Sequence, residues 1–305
     1  MTEPLVVPTH LRESTDAGGP ERVEWLERLP AVVDDLTARW GLTLGEPFEP
    51  GGNCSWVAPG TDVQNREIAL KVAWVHSESR DEAEGLALLA GNGAVAVHAY
   101  EHVDDATVAM LLERCRPGTE LRGLPEPEQD VVVSDLLRRL WATPLPAGHR
   151  IRPLSEMADE WADRAETLLA DDPRRVDAGL AREGFAQFRE LARTGPGPVL
   201  LWTDLHAGNV LAGTRHPWQM IDPKPYVGDR HYDLLQHIIN CPDRLMADPY
   251  GLISRLADLT DLDAERVADW MRARSVVEAA AATSPWQDFA GFWSALSGGA
   301  VLSGR

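Results

Sequence analysis

Asp204, Asn209 and Asp222 lie within a stretch reading LLWTDLHAGNVLAGTRHPWQMIDPKPYVGDRHYD, residues 200–233. Two carboxylates and an amide between short apolar runs admit two readings. One is turn chemistry, in which such side chains cap their own backbone. The other is a proton acceptor beside oxygen ligands for Mg²⁺, a hard cation held by one or two carboxylates plus substrate phosphates. On that reading Asn209 and Asp222 are the metal ligands, and Asp204 is left to accept a proton from an attacking hydroxyl. The interval of five from Asp204 to Asn209 is the one kinase catalytic loops use. Phosphoryl transfer asks for metal ions, a cation on the nucleotide phosphates and an oriented nucleophile, because the transition state spreads negative charge over the moving group.

The other parts of such a machine occur upstream in the required order. IALKV puts Lys71 on a strand with Leu70 and Val72 facing the opposite way, where its amine is a candidate phosphate contact. In the helix that follows, Glu82, Leu86 and Leu89 share one face, which carries the Glu82 carboxylate inward to pair with Lys71. Glu84 is the alternative partner. PGGNCS, with Gly51, Gly52 and Ser55, is either a loop closing over phosphates or a plain hairpin turn.

These residues need elements to position them. Residues 21–40 have helical spacing through Trp25, Leu29, Val32, Val33, Leu36 and Trp40, with Pro30 expected to divide the helix or to start a second one. LGEPFE and CSWVAP are expected strands flanking PGGN, followed by EIALKVAWV, a helix over SRDEAEGLALLAGNG, and strands AVAVHAYEHV and TVAMLLERC across an Asp-Asp turn. Helical spacing then takes over at 128–142, 155–170 and 174–193, punctuated by proline and glycine. NVLAG and WQMID form an expected hairpin that would bring Asn209 and Asp222 to adjoining strand ends. Trp25, Trp40, Trp141 and Trp161 are expected in the core, whereas Trp202 and Trp270 are candidates for an acceptor pocket. Asp229 and the segment from Trp270 to Glu278 are expected near that pocket.

The formal charge of -19 over 305 residues disfavours nucleic acid and anionic membranes as partners and suits a cationic ligand, though acidity also serves solubility. Three scattered cysteines fit neither a disulfide framework nor a paired-cysteine zinc site, so a reducing cytoplasm is expected. The first 20 residues carry neither a basic start nor an apolar run, so no secretory signal is expected.

With these motifs in place, the chain resembles the aminoglycoside phosphotransferase family, in the branch of streptomycin 6-phosphotransferases and hydroxyurea phosphotransferases. EAEGLALLAGNGAVAVHAY, MLLERCRPGTEL, TDLHAGNVL and IDPKPYVGDRHYD carry the resemblance, which runs from about Gly51 to at least Asn240. It implies an α+β, protein-kinase-like bilobal fold. A small five-stranded antiparallel sheet lobe with a helix (1–115, with a helical extension over 1–45) would bind nucleotide, and a larger mainly helical lobe (116–305) would carry catalysis and acceptor binding. It also implies ATP and Mg²⁺ as cofactors, Asp204 as base, Asn209 and Asp222 as metal ligands, and the Lys71–Glu82 pair on the phosphates. Adenine would meet the hinge backbone around Glu113 and Cys115. Asp233 matches a buried carboxylate bracing the catalytic loop; as a bare residue it could equally be a helix N-cap.

One departure stands out: Trp202-Thr203 occupies the place of the family's usual His-Gly before the aspartate. A histidine brace is thereby lost and loop geometry changed. His206 is read as a structural hydrogen-bonding residue, with substrate contact as its alternative. The expectation is a monomeric phosphotransferase acting on a hydroxyl of a cationic or hydroxylated small molecule, a streptomycin-like aminoglycoside first. Hydroxyurea, an amino sugar or a peptide antibiotic are alternative acceptors. A nucleotide-binding module without catalysis is the alternative of another class, resting on Trp202-Thr203.

Overall fold

The computed structural model describes residues 5–281; residues 1–4 and 282–305, which the expected lobes include, lie outside the described residues. In chain order the elements begin with α1 (Thr9–Ala17), α2 (Pro20–Trp40), β1 (Thr43–Leu44), β2 (Ser55–Thr61), β3 (Glu67–Trp74), α3 (Glu82–Leu89), β4 (Val97–Asp104) and β5 (Thr107–Glu113). There follow α4 (Glu126–Trp141), α5 (Leu154–Asp171), α6 (Ala178–Leu191), β6 (Val199–Leu201), β7 (Val210–Ala212), β8 (Trp218–Met220) and β9 (Tyr226–Gly228). The described chain closes with α7 (Leu235–Ile239), α8 (Pro242–Ala247), α9 (Pro249–Thr260) and α10 (Ala264–Ala281).

This is the expected α+β class. The described chain divides into two compact units: residues 5–120 with 211–221, and residues 121–210 with 222–281. In the first, five antiparallel strands run in the order β1-β2-β3-β5-β4, with α3 following the third strand. Central β3 sets the geometry. Ile68, Leu70 and Val72 point into a core that includes Trp25, Leu29, Val33 and Leu36 of α2. Alternation then turns Lys71 to the other face of the sheet.

Two local expectations change. Pro30 lies inside one continuous α2 and does not divide it. The proline lacks the N–H for one helical bond, but the apolar stripe buried on the sheet continues on both sides of it. The helix stops at Gly41, whose φ of 62° is the left-handed conformation glycine adopts freely. Of the expected strand LGEPFE only Leu44 is in a strand, the two-residue Thr43–Leu44. Pro47 and Pro50 offer no ladder N–H, although Gly45 and Phe48 still donate to Pro59 and Val57.

The second unit is mainly helical, with β6 and β9 paired antiparallel. α10 lies against α6 at Gly184, where a Cβ would sit 2.5 Å from Val276 Cγ1. Phe188, Tyr232 and Trp270 stack edge to face, with centroids 5.0 Å apart for Tyr232–Trp270 and 5.6 Å for Phe188–Trp270. Among the described residues no helix is long and apolar enough to cross a membrane.

Candidate functional site

In the sheet unit, Lys71 Nζ lies 2.5 Å from Glu82 Oε1, and their side chains are only 7% and 2% exposed. Glu82, and not the alternative Glu84, makes the pair. It opens α3, so its carboxylate faces β3. Each charge offsets the burial of the other.

The glycine segment is tied down from outside the sheet. His10 N donates to Pro50 O at 2.9 Å, and Ser14 Oγ and Arg22 Nη2 both donate to Asn53 O. Arg22 is itself buried beside the Trp74 ring. Gly51 has φ of 78°, while Ser55 is the buried first residue of β2. Helix α1, which supplies several of these bonds, lies inside the expected helical extension over 1–45, although its own sequence shows no apolar period.

At the expected adenine hinge, Glu113 N donates to Ala96 O at 2.8 Å, so that N–H is already engaged. Its carboxylate takes Ala96 N, Arg215 and Gln219 Nε2. Arg215 also donates to Gly91 O and Ala94 O. These bonds explain why residues 211–221 group with the sheet. Burial pushes the Cys115 thiol up to about 11, so at neutral pH it carries no charge.

In the helical unit, the loop after β6 carries Asp204, 16% exposed. The loop is braced from below: Asp233, wholly buried, accepts Trp202 N at 2.9 Å, Thr203 N at 2.7 Å and the Trp141 indole N–H at 2.8 Å. Of the two roles open to Asp233, the structure gives it the brace; the N-cap of the turn at 230–234 is Asp229. Burial pushes the Asp233 carboxyl up to about 7, against the pull of those three donors.

Asn209 donates its amide N–H to Asp204 O at 2.9 Å, leaving the amide oxygen to offer a ligand. Asn209 directly precedes β7, Asp222 follows β8 by two residues, and β7 pairs with β8, as the hairpin reading expected. Asp222 has φ of 59°, a left-handed backbone uncommon outside glycine and asparagine-like residues. His206 accepts Gly208 N at 3.1 Å on Nδ1, the structural bond expected of it, and burial lowers its pKa, favouring the neutral ring that can accept.

Sequence reasoning missed Lys224. Its Nζ lies 3.1 Å from Asp204 Oδ2, its N donates to Trp202 O at 3.0 Å, and its carbonyl accepts Thr203 Oγ1 at 2.5 Å. The available signal was its setting between Pro223 and Pro225, which restricts the backbone on both sides.

Two acceptor-side expectations are corrected. Trp202 and Trp270 are both fully buried core residues, so neither ring is presented to a ligand. Trp270 Nε1 donates to Asp229 Oδ2 at 2.7 Å, and Asp229 also holds Arg266 and His231. Burial works to raise the Asp229 carboxyl, but the hydrogen bonds from His231 and Trp270 outweigh it and hold it at about 2.

A five-stranded sheet carrying a buried Lys–Glu pair, joined in sequence to a helical unit with a braced Asp-x-x-x-x-Asn loop, is the architecture of protein-kinase-like small-molecule phosphotransferases. Residues 44–285 match the family model described as aminoglycoside/hydroxyurea antibiotic resistance kinase, and the chain belongs to that family. It is 36% identical over 270 residues to a hydroxyurea phosphotransferase of Kitasatospora aureofaciens, covering 85% of this chain and 74% of the relative. It is 32% identical over 268 residues to a streptomycin 6-kinase of Streptomyces glaucescens, covering 85% and 84%. The fold matches a thermostable aminoglycoside phosphotransferase APH(4)-Ia in ternary complex with AMP-PNP and hygromycin B, at a TM-score of 0.58 and 16% identity over 85% of this chain and 96% of that one.

Proposed function

We propose that the chain transfers the γ-phosphoryl group of ATP to a hydroxyl of a cationic small molecule, a streptomycin-like aminoglycoside first. Asp204 accepts the hydroxyl proton as the acceptor oxygen bonds to the γ-phosphorus and the bond to the β–γ bridging oxygen breaks, releasing ADP. The observation that carries this reading is the Asp204–Asn209 loop, held by Asp233 with its carboxylate partly open to solvent. Lys71, fixed by Glu82, is the residue for the nucleotide phosphates. Gly51 and Gly52 lie in the loop over them, Ser55 opens the strand that follows, and the backbone around Cys115 takes adenine, the Glu113 N–H being engaged by Ala96 O. An amide oxygen and a carboxylate are a hard donor set that fits Mg²⁺, so Asn209 and Asp222 are its ligands. When bound, that ion neutralises charge on the phosphate oxygens.

The acceptor assignment draws on the streptomycin 6-kinase relative and on the formal charge of -19, which favours encounter with a polycation. The hydroxyurea phosphotransferase relative supports a second acceptor. The protein acts as a cytoplasmic monomer on this reading. ADP release measured with streptomycin and hydroxyurea, followed by product mass, tests it. Asp204→Ala is expected to lower turnover by about 10²–10⁴-fold, the usual contribution of a general base; near-normal turnover in that variant refutes the assignment.

A further inference from the structure

We propose that Lys224 is a positioning residue for Asp204, and that Thr203 is retained to hold Lys224 in place. The inference rests on the reading of Asp204 as the base and goes beyond it in naming what orients that base. An aspartate has two equivalent oxygens and a freely turning carboxylate. Here one oxygen, Oδ2, is taken by the Lys224 ammonium at 3.1 Å, so a hydroxyl approaching Asp204 meets a carboxylate of fixed orientation.

The lysine is itself held. Its amide donates to Trp202 O at 3.0 Å and its carbonyl accepts the Thr203 hydroxyl at 2.5 Å, so the two residues just before Asp204 grip its backbone from both sides. Pro223 and Pro225 remove most of the remaining freedom.

Thr203 supplies the second line of argument. Its φ is 54°, a left-handed backbone that a β-branched residue adopts only under strain. Glycine, which the resembling family usually carries there, would sit in that conformation without strain. What threonine offers in exchange is the hydroxyl, and the hydroxyl is spent on Lys224. Strain of this kind persists where the surrounding structure fixes it, and it clusters at functional sites. The pair also links the base to Asp222, two residues before the lysine, so one short segment carries both a proposed metal ligand and the group that orients the base.

The test measures kcat and the KM values for ATP and for the acceptor that the wild type turns over, streptomycin or hydroxyurea, with thermal melting as the control for folding. Lys224→Met is expected to lower kcat by about ten- to a hundred-fold, the scale of a misplaced catalytic group, with KM for ATP changed by less than about two-fold. Lys224→Arg is expected to recover part of the loss. Thr203→Val is expected to lower kcat in the same direction, and Thr203→Ser to restore most of what valine loses. In an Asp204→Ala background, Lys224→Met is expected to add no further loss, because the residue it positions is gone. A Lys224→Met enzyme with wild-type kcat overturns the inference, as does an equal loss from Lys224→Met with or without Asp204. An Asp204→Ala enzyme with full turnover overturns the underlying reading of the base instead, so the two failures are distinguishable.

Discussion

Replacing Asp233 by asparagine probes the brace beneath the loop by exchanging one carboxylate oxygen for an NH₂, with almost no change in shape. The carboxylate receives Trp202 N and Thr203 N on Oδ1, and the Trp141 indole on Oδ2 at 2.8 Å. Asparagine can keep the two backbone donors on its oxygen, but its NH₂ then faces the indole N–H, donor against donor. A buried donor left unsatisfied costs about 1–3 kcal/mol, so a loss of about 2 kcal/mol is expected near pH 8, with a fall in kcat as the loop shifts. Trp141→Phe removes the opposing donor. The double variant Asp233→Asn/Trp141→Phe is therefore expected to lose less than the sum of the two singles. The pH dependence has a definite sign. Burial raises the native Asp233 carboxyl to about 7 from an ordinary 3.8. Its contribution is then fully present below about pH 4 and is lost as pH rises through 7. The stability difference between wild type and Asp233→Asn is expected to be largest in acid and to narrow toward pH 8. Urea denaturation of both proteins at several pH values reads it. A variant as stable as wild type at pH 5, with strictly additive effects in the double variant, would refute the reasoning.

Lys71→Met leaves Glu82 buried without its ammonium, and is expected to lose about 3–5 kcal/mol of stability along with ATP-dependent turnover. Lys71→Met/Glu82→Gln is expected to regain stability without turnover, checked by melting and ADP release. Asn209→Ala and Asp222→Asn are each expected to raise the Mg²⁺ concentration needed for half-maximal activity, read by titrating the metal at fixed ATP. An unchanged requirement in both removes them as ligands.

The central sheet was legible because β3 is a short run of aliphatics with one lysine out of phase. A charged residue on a strand whose alternate positions are Ile68, Leu70 and Val72 must face a different environment from theirs. Glu82 was legible for a related reason, since a helix face carrying Leu86 and Leu89 has to look at the sheet. The hairpin that sets Asn209 and Asp222 at paired strand ends was legible from two short apolar runs around TRHP. Helix α1 was not legible as an element of its own, because its sequence THLRESTDA buries only Leu11 and Thr15 and its attachment to the glycine segment is made of polar bonds. The burial of Trp202 and Trp270 was hidden because an aromatic ring reads alike in a core and in a pocket. Only the partners decide, and Asp229 is 41 residues from the indole it receives. The Lys224–Asp204 contact depends on a left-handed Thr203, and a β-branched residue gives no hint of that conformation in sequence.

Trp202 and Thr203 bear directly on whether the loop can work as a catalytic loop at all. Their place is the family's His-Gly, and the absence of the histidine was the one sequence feature favouring a module that binds nucleotide without turning it over. The geometry answers the physical objection. A loop carrying a base needs its backbone N–H groups satisfied from below, and here Asp233 satisfies those of both substituted residues without any help from a side chain at 202. Trp202 instead fills core volume, its ring fully buried, and Thr203 turns its hydroxyl to the segment that carries Lys224 and Asp222. The bracing here comes from a carboxylate beneath the loop and a lysine beside it. A functional site tolerates strained backbone where the surrounding structure over-determines it. This one retains a left-handed threonine beside the base and a left-handed aspartate at the proposed metal ligand.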